Sequence, residues 1–325
     1  MIKKRIAITG ANGYIGQKLI NKLEKHNYKL SLLFRSSDNI LIENKHKHRI
    51  VIGNLSDKAS LEQLLKDCSL VINLAGEYTH EKLMMDSNYY GVKALFDVIE
   101  KLGIPRFIHL STVGVYGRPT HGLFDENAPF SGINSYEKSK VLSENYFLNK
   151  NSKQTDIIIL RPSNVFGPKM KNNSLREMFL NISRGTFFFI GKKGAIVNYL
   201  YIDNLVNSIT TIINDKKSSN NGLQVFNLNQ EATLEEFVSY FSSKTEKHKS
   251  FLRLQYTLTY FIAYLFDLIT ILFKFKFPLT RSRISALTSR ATFSQKKFEK
   301  LYHYRHEYTL EQGIQECINI WKKPG

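Results

Sequence analysis

The stretch that most constrains the fold is Lys3–Gly16, KKRIAITGANGYIG. An apolar run (Ile6, Ala7, Ile8) stops at Thr9, glycines fall at Gly10, Gly13 and Gly16, and a helix-period segment begins with Leu19 and Ile20. A buried strand that passes through a glycine turn into a helix leaves the first helical N–H groups without partners, which makes a site for phosphate. The glycines serve a tight turn, a close approach to pyrophosphate, and close packing of helix on strand. The spacing G-x-x-G-x-x-G is one residue wider than the G-x-G-x-x-G of many dinucleotide binders, so the turn needs support from the rest of the chain.

That support comes from alternation. Lys29–Phe34, Ile50–Ile52, Leu70–Leu74 and Arg106–Leu110 read as further strands, with helices at Leu61–Leu65 and Asn88–Ile99 between them. The pattern predicts an α/β fold of the Rossmann type, a doubly wound parallel sheet with its chemistry at the carboxyl ends of the strands. Gly122–Gly132 reads as a polar loop, Ser135–Phe147 as a helix and Ile157–Leu160 as a sixth strand, ended by Arg161-Pro162. Beyond it the alternation stops. Residues 1–165 are expected to form the dinucleotide-binding part, to which the chain returns at about 196–228, and 166–325 mainly a smaller mixed substrate-binding part.

The second strand ends at Arg35-Ser36-Ser37, about where an acidic residue would take the ribose 2′-hydroxyl of NAD. A guanidinium there suits a 2′-phosphate, so NADP(H) is favoured, with NAD(H) bound through Asp38 as the alternative. The chain carries 46 Lys+Arg against 28 Asp+Glu, a net charge of +18. Lysine is scattered without a stripe or a nucleic-acid-reading motif, so no nucleic acid is expected as partner. Cys68 and Cys317 are too few and too far apart for a disulfide framework or a metal site. The first strand starts so close to Met1 that no signal peptide is expected, which points to a reducing, cytoplasmic setting.

Leu254–Phe277 stands apart, being strongly apolar with Lys247, Lys249 and Arg253 before it and Lys274, Lys276, Arg281 and Arg283 around its end. It is long enough to cross a bilayer, but Asp267 would cost about 2.5–3.5 kcal/mol there. Three readings stay open: a helix buried in the smaller part, a helix in a membrane interface at the inner face, and a span.

The candidate reacting pair is Tyr136 with Lys140. A phenol ionises near pH 10, and residues four apart share a helix face, so the ammonium can favour the phenolate. Reaching about pH 7 takes about 4 kcal/mol, feasible in a dry site. Thr112 or Ser111 can supply a hydroxyl to hold the substrate oxygen. The spacing alone decides nothing, because it recurs at Tyr14/Lys18, Tyr78/Lys82, Tyr89/Lys93, Tyr146/Lys150 and Tyr240/Lys244. Only Tyr136 both follows the Ser-Thr of the fifth strand and opens the next helix.

TGANGYIG, NLAG (Asn73–Gly76), STVGVYG (Ser111–Gly117), YEKSK (Tyr136–Lys140), RPSNVFGP (Arg161–Pro168) and YLYIDNLVNSI (Tyr199–Ile209) together resemble the extended short-chain dehydrogenase/reductases, the NAD-dependent epimerase/dehydratase family. The resemblance implies Tyr136 as acid/base, Lys140 as its partner on the ribose and Thr112 as the hydroxyl of the triad. It implies cofactor contacts at the glycine turn (Gly10, Asn12, Gly13, Tyr14, Ile15, Gly16), at Asn54-Leu55, at Leu74, Ala75 and Gly76, and at Pro162. Asn164 falls where sugar-nucleotide epimerases contact substrate, and family habit suggests a homodimer. The chain departs from the family at Asn54, commonly an aspartate, and in lacking an arginine before Tyr199, leaving Arg283 and Arg290 as candidates for a substrate diphosphate. Phe277–Tyr304 resembles the tail of the 3β-hydroxysteroid dehydrogenase-like branch.

These observations predict a metal-free NAD(P)-dependent oxidoreductase or epimerase acting on a secondary alcohol or ketone, first of a nucleotide-linked sugar. A sterol-like or other lipid substrate is the alternative, and a non-catalytic NADPH-binding regulator the rival from another class.

Overall fold

The buried apolar runs assemble into one parallel sheet of seven strands: β1 (Arg5–Thr9), β2 (Leu30–Phe34), β3 (Arg49–Ile52), β4 (Cys68–Asn73), β5 (Arg106–Leu110), β6 (Asp156–Pro162) and β7 (Leu223–Leu228). A computed structural model of the chain describes all residues except 1–4, 39, 41, 43, 151, 153, 171, 216–221, 246–250, 274–278 and 323–325. The strand order is β7-β6-β5-β4-β1-β2-β3. The chain therefore builds outward in both directions from β1 and β4, and the crevice between their carboxyl ends is where such sheets bind ligands. Every residue of β2 and β6 is buried, as a sheet covered on both faces requires. One core packs Leu19, Leu23, Leu205 and Ile209 against one face, and the other packs Leu61, Leu95, Phe96 and Phe147 against the opposite face.

The helix expected from Asn88 forms differently. A short helix, Glu81–Met85, runs into a wide π-type turn at Asp86–Tyr90 and then into Gly91–Lys101. The wide turn carries Asn88 into the interior. Gly91 is needed there, because a Cβ would sit 2.7 Å from that of Leu55.

After β6 the chain builds a three-stranded sheet in which Ile196–Tyr201 lies between Gln230–Thr233 (antiparallel) and Asn164–Phe166 (parallel). A third core of Phe166, Phe179, Ile182, Phe237, Phe241 and Ile314 lies against it. The predicted polar loop at Gly122–Gly132 opens instead with a strand, His121–Phe124, paired in parallel with Arg290–Phe293. Its residues are mostly exposed and its partner is distant in sequence, so no local pattern announces it.

The predicted apolar segment forms a helix over Tyr256–Phe273. Its placement corrects the buried reading, because Leu258, Phe261, Leu265, Leu268 and Ile269 are exposed. Among the described residues no helix is long and apolar enough to cross a membrane. Lys247, Lys249, Lys274 and Lys276, which flank this segment in the sequence, lie outside the described residues.

The last helix, Leu310–Trp321, packs on the small sheet through Gly313, where a Cβ would lie 2.6 Å from the Tyr201 ring and 2.9 Å from that of Phe166. Gly313→Val should lower the unfolding free energy by about 1–3 kcal/mol in urea titrations, the usual range for overpacking. Unchanged stability would mean that the helix does not close on these rings.

Candidate functional site

The turn after β1 fits the narrow requirements of a phosphate cradle. Gly10 has φ +70°, and a Cβ there would sit 2.6 Å from the Leu74 carbonyl carbon. A Cβ on Gly16 would sit 2.2 Å from the Gly10 oxygen. The helix Tyr14–Lys25 begins after Gly13 with no side-chain cap and no acidic residue in its first turn, so its N-terminal amides keep their positive potential for an anion. Asn12 is exposed beside it, while Ile15 packs against the core. The Tyr14 hydroxyl donates to the Pro168 carbonyl at 2.7 Å and so ties the cradle to the segment after β6, which begins beyond the buried Pro162.

The other predicted cofactor positions lie at the same strand ends. Arg35 is exposed at the end of β2, and the Ser36 hydroxyl donates to Asp38 at 2.8 Å. Asn54 is exposed after β3, its side-chain oxygen accepting from the Ser56 N–H at 2.8 Å, with Leu55 buried next to it. Leu74 and Ala75 are half-buried after β4, and Gly76 is exposed. These features fit a dinucleotide: a cradle that any Cβ would fill, an uncapped helix start, and open backbone at Gly76.

The candidate reacting pair is set by a helix start. Asn134 and Glu137 form a capping box, with Asn134 Oδ1 accepting from the Glu137 N–H at 2.9 Å and Glu137 Oε2 from the Asn134 N–H at 3.3 Å. This fixes Tyr136 in the first turn of Ser135–Leu148 and Lys140 one turn on. Lys140 is 3% exposed, and its Nζ donates to the Leu110 carbonyl at 2.9 Å. The same Nζ lies 3.6 Å from where a Gly76 Cβ would be, so the ammonium bridges the ends of β5 and β4. Burial pushes the lysine down to about 8, with Glu144 pulling it back up. Burial pushes the Tyr136 phenol up to about 12, and Glu137 and Tyr78 add to this. The protein groups by themselves therefore hold the proton on the phenol.

The two candidate hydroxyls part company. Ser111 is buried and donates to Glu144. Thr112 is half-buried, and its Oγ1 accepts from the Gly114 N–H at 3.0 Å, which leaves the hydroxyl proton for another acceptor.

The structure adds residues that sequence reasoning missed. Asn88 Oδ1 accepts from the Glu77 N–H at 2.8 Å, while its Nδ2 donates to the Glu77 carbonyl at 2.8 Å and to Ser139 Oγ at 3.0 Å. It thereby pins the segment after Gly76 to the helix that carries Lys140. Its signal was a lone asparagine three residues before Gly91 in an apolar helix. Arg161, which the sequence places at the end of the sixth strand and in the RPSNVFGP motif without a role of its own, is buried and donates to Glu144 at 2.6–3.1 Å and to the Tyr116 hydroxyl at 2.6 Å. The Tyr116 hydroxyl in turn donates to Asn227 at 2.8 Å.

The predicted substrate contacts are not gathered in this way. Asn164 is exposed and donates to the Asn198 carbonyl at 3.2 Å. Arg283 is exposed on the helix Arg281–Thr288, and Arg290 donates to the Lys193 carbonyl at 2.6 Å on the edge strand pair.

A glycine cradle at the switch point of a parallel sheet, with a buried lysine one turn from a tyrosine beside it, is the architecture of a dinucleotide-dependent enzyme. A sequence model of the NAD dependent epimerase/dehydratase family matches residues 6–228, and the chain belongs to that family. It is thus an enzyme of the NAD(P)-dependent epimerase, dehydratase and dehydrogenase kind. Over 96% of its length it is 25% identical to N-acetyl-alpha-D-glucosaminyl-diphospho-ditrans,octacis-undecaprenol 4-epimerase of Escherichia coli O157:H7, covering 94% of that protein. It is 21% identical to the mouse sterol-4-alpha-carboxylate 3-dehydrogenase (decarboxylating), with 97% of this chain and 90% of that one covered. Among solved structures, UDP-glucuronic acid 4-epimerase of Bacillus cereus in complex with NAD superposes with a TM-score of 0.73 at 18% identity, covering 98% of both chains.

The lysine's depressed pKa makes a prediction about stability. Lys140 titrates at about 8 folded and 10.5 unfolded, so between those values the unfolded chain binds more protons and stability rises with pH. Lys140→Met should raise the unfolding free energy at pH 7 by about 2–3 kcal/mol, a gain that shrinks towards pH 10. Urea midpoints of both proteins at the two pH values check this, and a gain independent of pH would contradict a charged, buried Lys140.

Proposed function

We propose that the chain transfers hydride to and from a secondary alcohol of a hexose carried on a diphosphate, with Tyr136 moving the hydroxyl proton. One observation carries this reading: Tyr136 opens the helix on which the buried Lys140 reaches the ends of β4 and β5, beside Thr112. The glycine cradle, the residues after β2 and β3, and the backbone at Leu74–Gly76 and Pro162 would hold NAD(P), which would supply the hydride acceptor and a positive charge.

Thr112 orients the substrate oxygen with its hydroxyl. Lys140, whose ammonium would also serve the cofactor ribose, favours the anionic form of the phenol by charge. Tyr136, holding its proton up to about 12 in the protein alone, is the acid that returns a proton to the substrate oxygen, and its phenolate takes the proton when the alcohol is oxidised.

The sugar diphosphate is supported by the names of the relatives, one a 4-epimerase of a glucosaminyl-diphospho-polyprenol and another of UDP-glucuronic acid. Asn164 on the small sheet is the substrate contact in this reading. A hydrophobic alcohol is the second reading, favoured by the exposed apolar helix and the sterol dehydrogenase relative. NADP(H) is favoured over NAD(H) through Arg35, exposed at the end of β2 where the adenosine ribose lies in such folds.

The test is turnover with UDP-hexoses, a polyprenyl-diphospho-hexosamine and ketosteroids. Tyr136→Phe should lower kcat by about 10²–10⁴ while cofactor affinity stays, the usual range for losing a positioned acid/base. Cofactor binding without turnover over the whole panel, unchanged in Tyr136→Phe, would make the chain a nucleotide holder instead. Arg35→Asp should shift the NADP/NAD affinity ratio towards NAD by roughly tenfold or more, the worth of a lost charge-assisted hydrogen bond. An unchanged ratio would take Arg35 out of cofactor choice.

A further inference from the structure

We propose that the helix Tyr256–Phe273 is a docking surface that lies flat in the interface of an anionic lipid bilayer. A helix on the surface of a globular protein normally turns its apolar stripe inward. Here the arrangement is reversed. Thr259 and Ala263, at 3% and 0% exposure, face the protein one turn apart, and Ala263 packs with Ile190 and Ile284. Asp267, a further turn on, is held by Arg281 at 2.7 Å, so the one carboxylate of the helix is neutralised by the protein. Leu258 and Phe261 are 60% and 58% exposed, and Leu265, Leu268 and Ile269 are exposed with them. At about 100° per residue these five side chains fall within an arc of about 100°. Scattered exposed hydrophobic residues are ordinary, but a contiguous apolar face of this kind marks a binding surface.

The rim of the face says what binds it. Among the described residues at its two ends, Lys192, Lys193, Arg253, Arg281, Arg283 and Arg290 stand against Glu235 and Asp267. Near the start of the helix, Lys192 and Lys193 stand exposed in the turn whose Gly191 backs onto Tyr256. Arg253 donates to the Gly191 carbonyl and Arg290 to that of Lys193, which gathers the cations there. Arg281 and Arg283 are exposed beyond the other end. Arg253 is partly neutralised by Glu235, as Arg281 is by Asp267, yet the balance remains strongly positive. A second copy of the chain would bring two cationic rims together, and a nucleic acid would leave the apolar face uncovered. An anionic bilayer takes both, with the face in the acyl boundary and the rim among the headgroups.

This inference stands apart from the reaction proposed above and is tested without it. The full chain, purified without detergent, should float with vesicles of phosphatidylethanolamine and phosphatidylglycerol, and less with phosphatidylcholine alone. Phe261→Ser with Leu265→Ser should lower partitioning by about tenfold or more, with melting temperature and NAD binding unchanged because both side chains are exposed. Lys192→Glu with Lys193→Glu leaves the apolar face whole and should lower partitioning on the anionic vesicles by about tenfold. No flotation, or flotation that neither double variant weakens, overturns the proposal. A dimer in sedimentation that Phe261→Ser with Leu265→Ser splits into monomers would assign the face to a second copy and overturn it as well.

Discussion

Arg161 enters the interior from β6, a strand with no exposed residue, and its charge has to be met there. Each ion taken out of water costs several kcal/mol, and only good geometry with further hydrogen bonds offsets this. Glu144 supplies that geometry, taking bonds from two guanidinium nitrogens and a third from Ser111, while the remaining nitrogen reaches the Tyr116 hydroxyl and the Glu126 carbonyl. The Tyr116 and Phe130 rings lie 5.1 Å from the guanidinium carbon. Ser111 is thereby clamped between Leu110, which receives Lys140, and Thr112. The helix of Tyr136 is locked to the ends of β5 and β6 by this one carboxylate.

The same carboxylate explains the state of Lys140. Glu144 is one turn away and pulls the lysine's pKa up, but its oxygens are already engaged by Arg161 and Ser111, so burial wins. Burial drives both the ammonium and the phenol towards their neutral forms. A phosphate-bearing ligand with a cationic ring would counter both tendencies, the phosphate favouring the ammonium and the ring the phenolate. Burying the Lys140 ammonium costs stability at this place, and such perturbed groups cluster at functional sites.

Much of this was legible from local pattern. The glycine turn, the strands around it and the Tyr136/Lys140 pair each follow from a few neighbouring residues, and Arg106–Leu110 appears within its predicted bounds. What escaped was non-local. Asn88 matters because a wide helical turn delivers it to Glu77 and Ser139, and Glu144 matters because Arg161 arrives from another strand. The strand at His121–Phe124 exists only because Arg290–Phe293 comes to lie beside it. Which of Ser111 and Thr112 keeps a hydroxyl proton to offer was likewise open until Glu144 was seen to engage Ser111.

The apolar helix was legible in length and composition, but not in orientation, and the reason is instructive. Large apolar residues occur nearly all round Tyr256–Phe273, so no stripe stands out. The informative residues were the small and polar ones spaced four apart, Thr259, Ala263 and Asp267, which let the helix sit close to the body and form a pair with Arg281. Where the contact side of a helix is its small-residue side, the bulky residues must point away. Their number then measures the apolar surface left for something outside the chain.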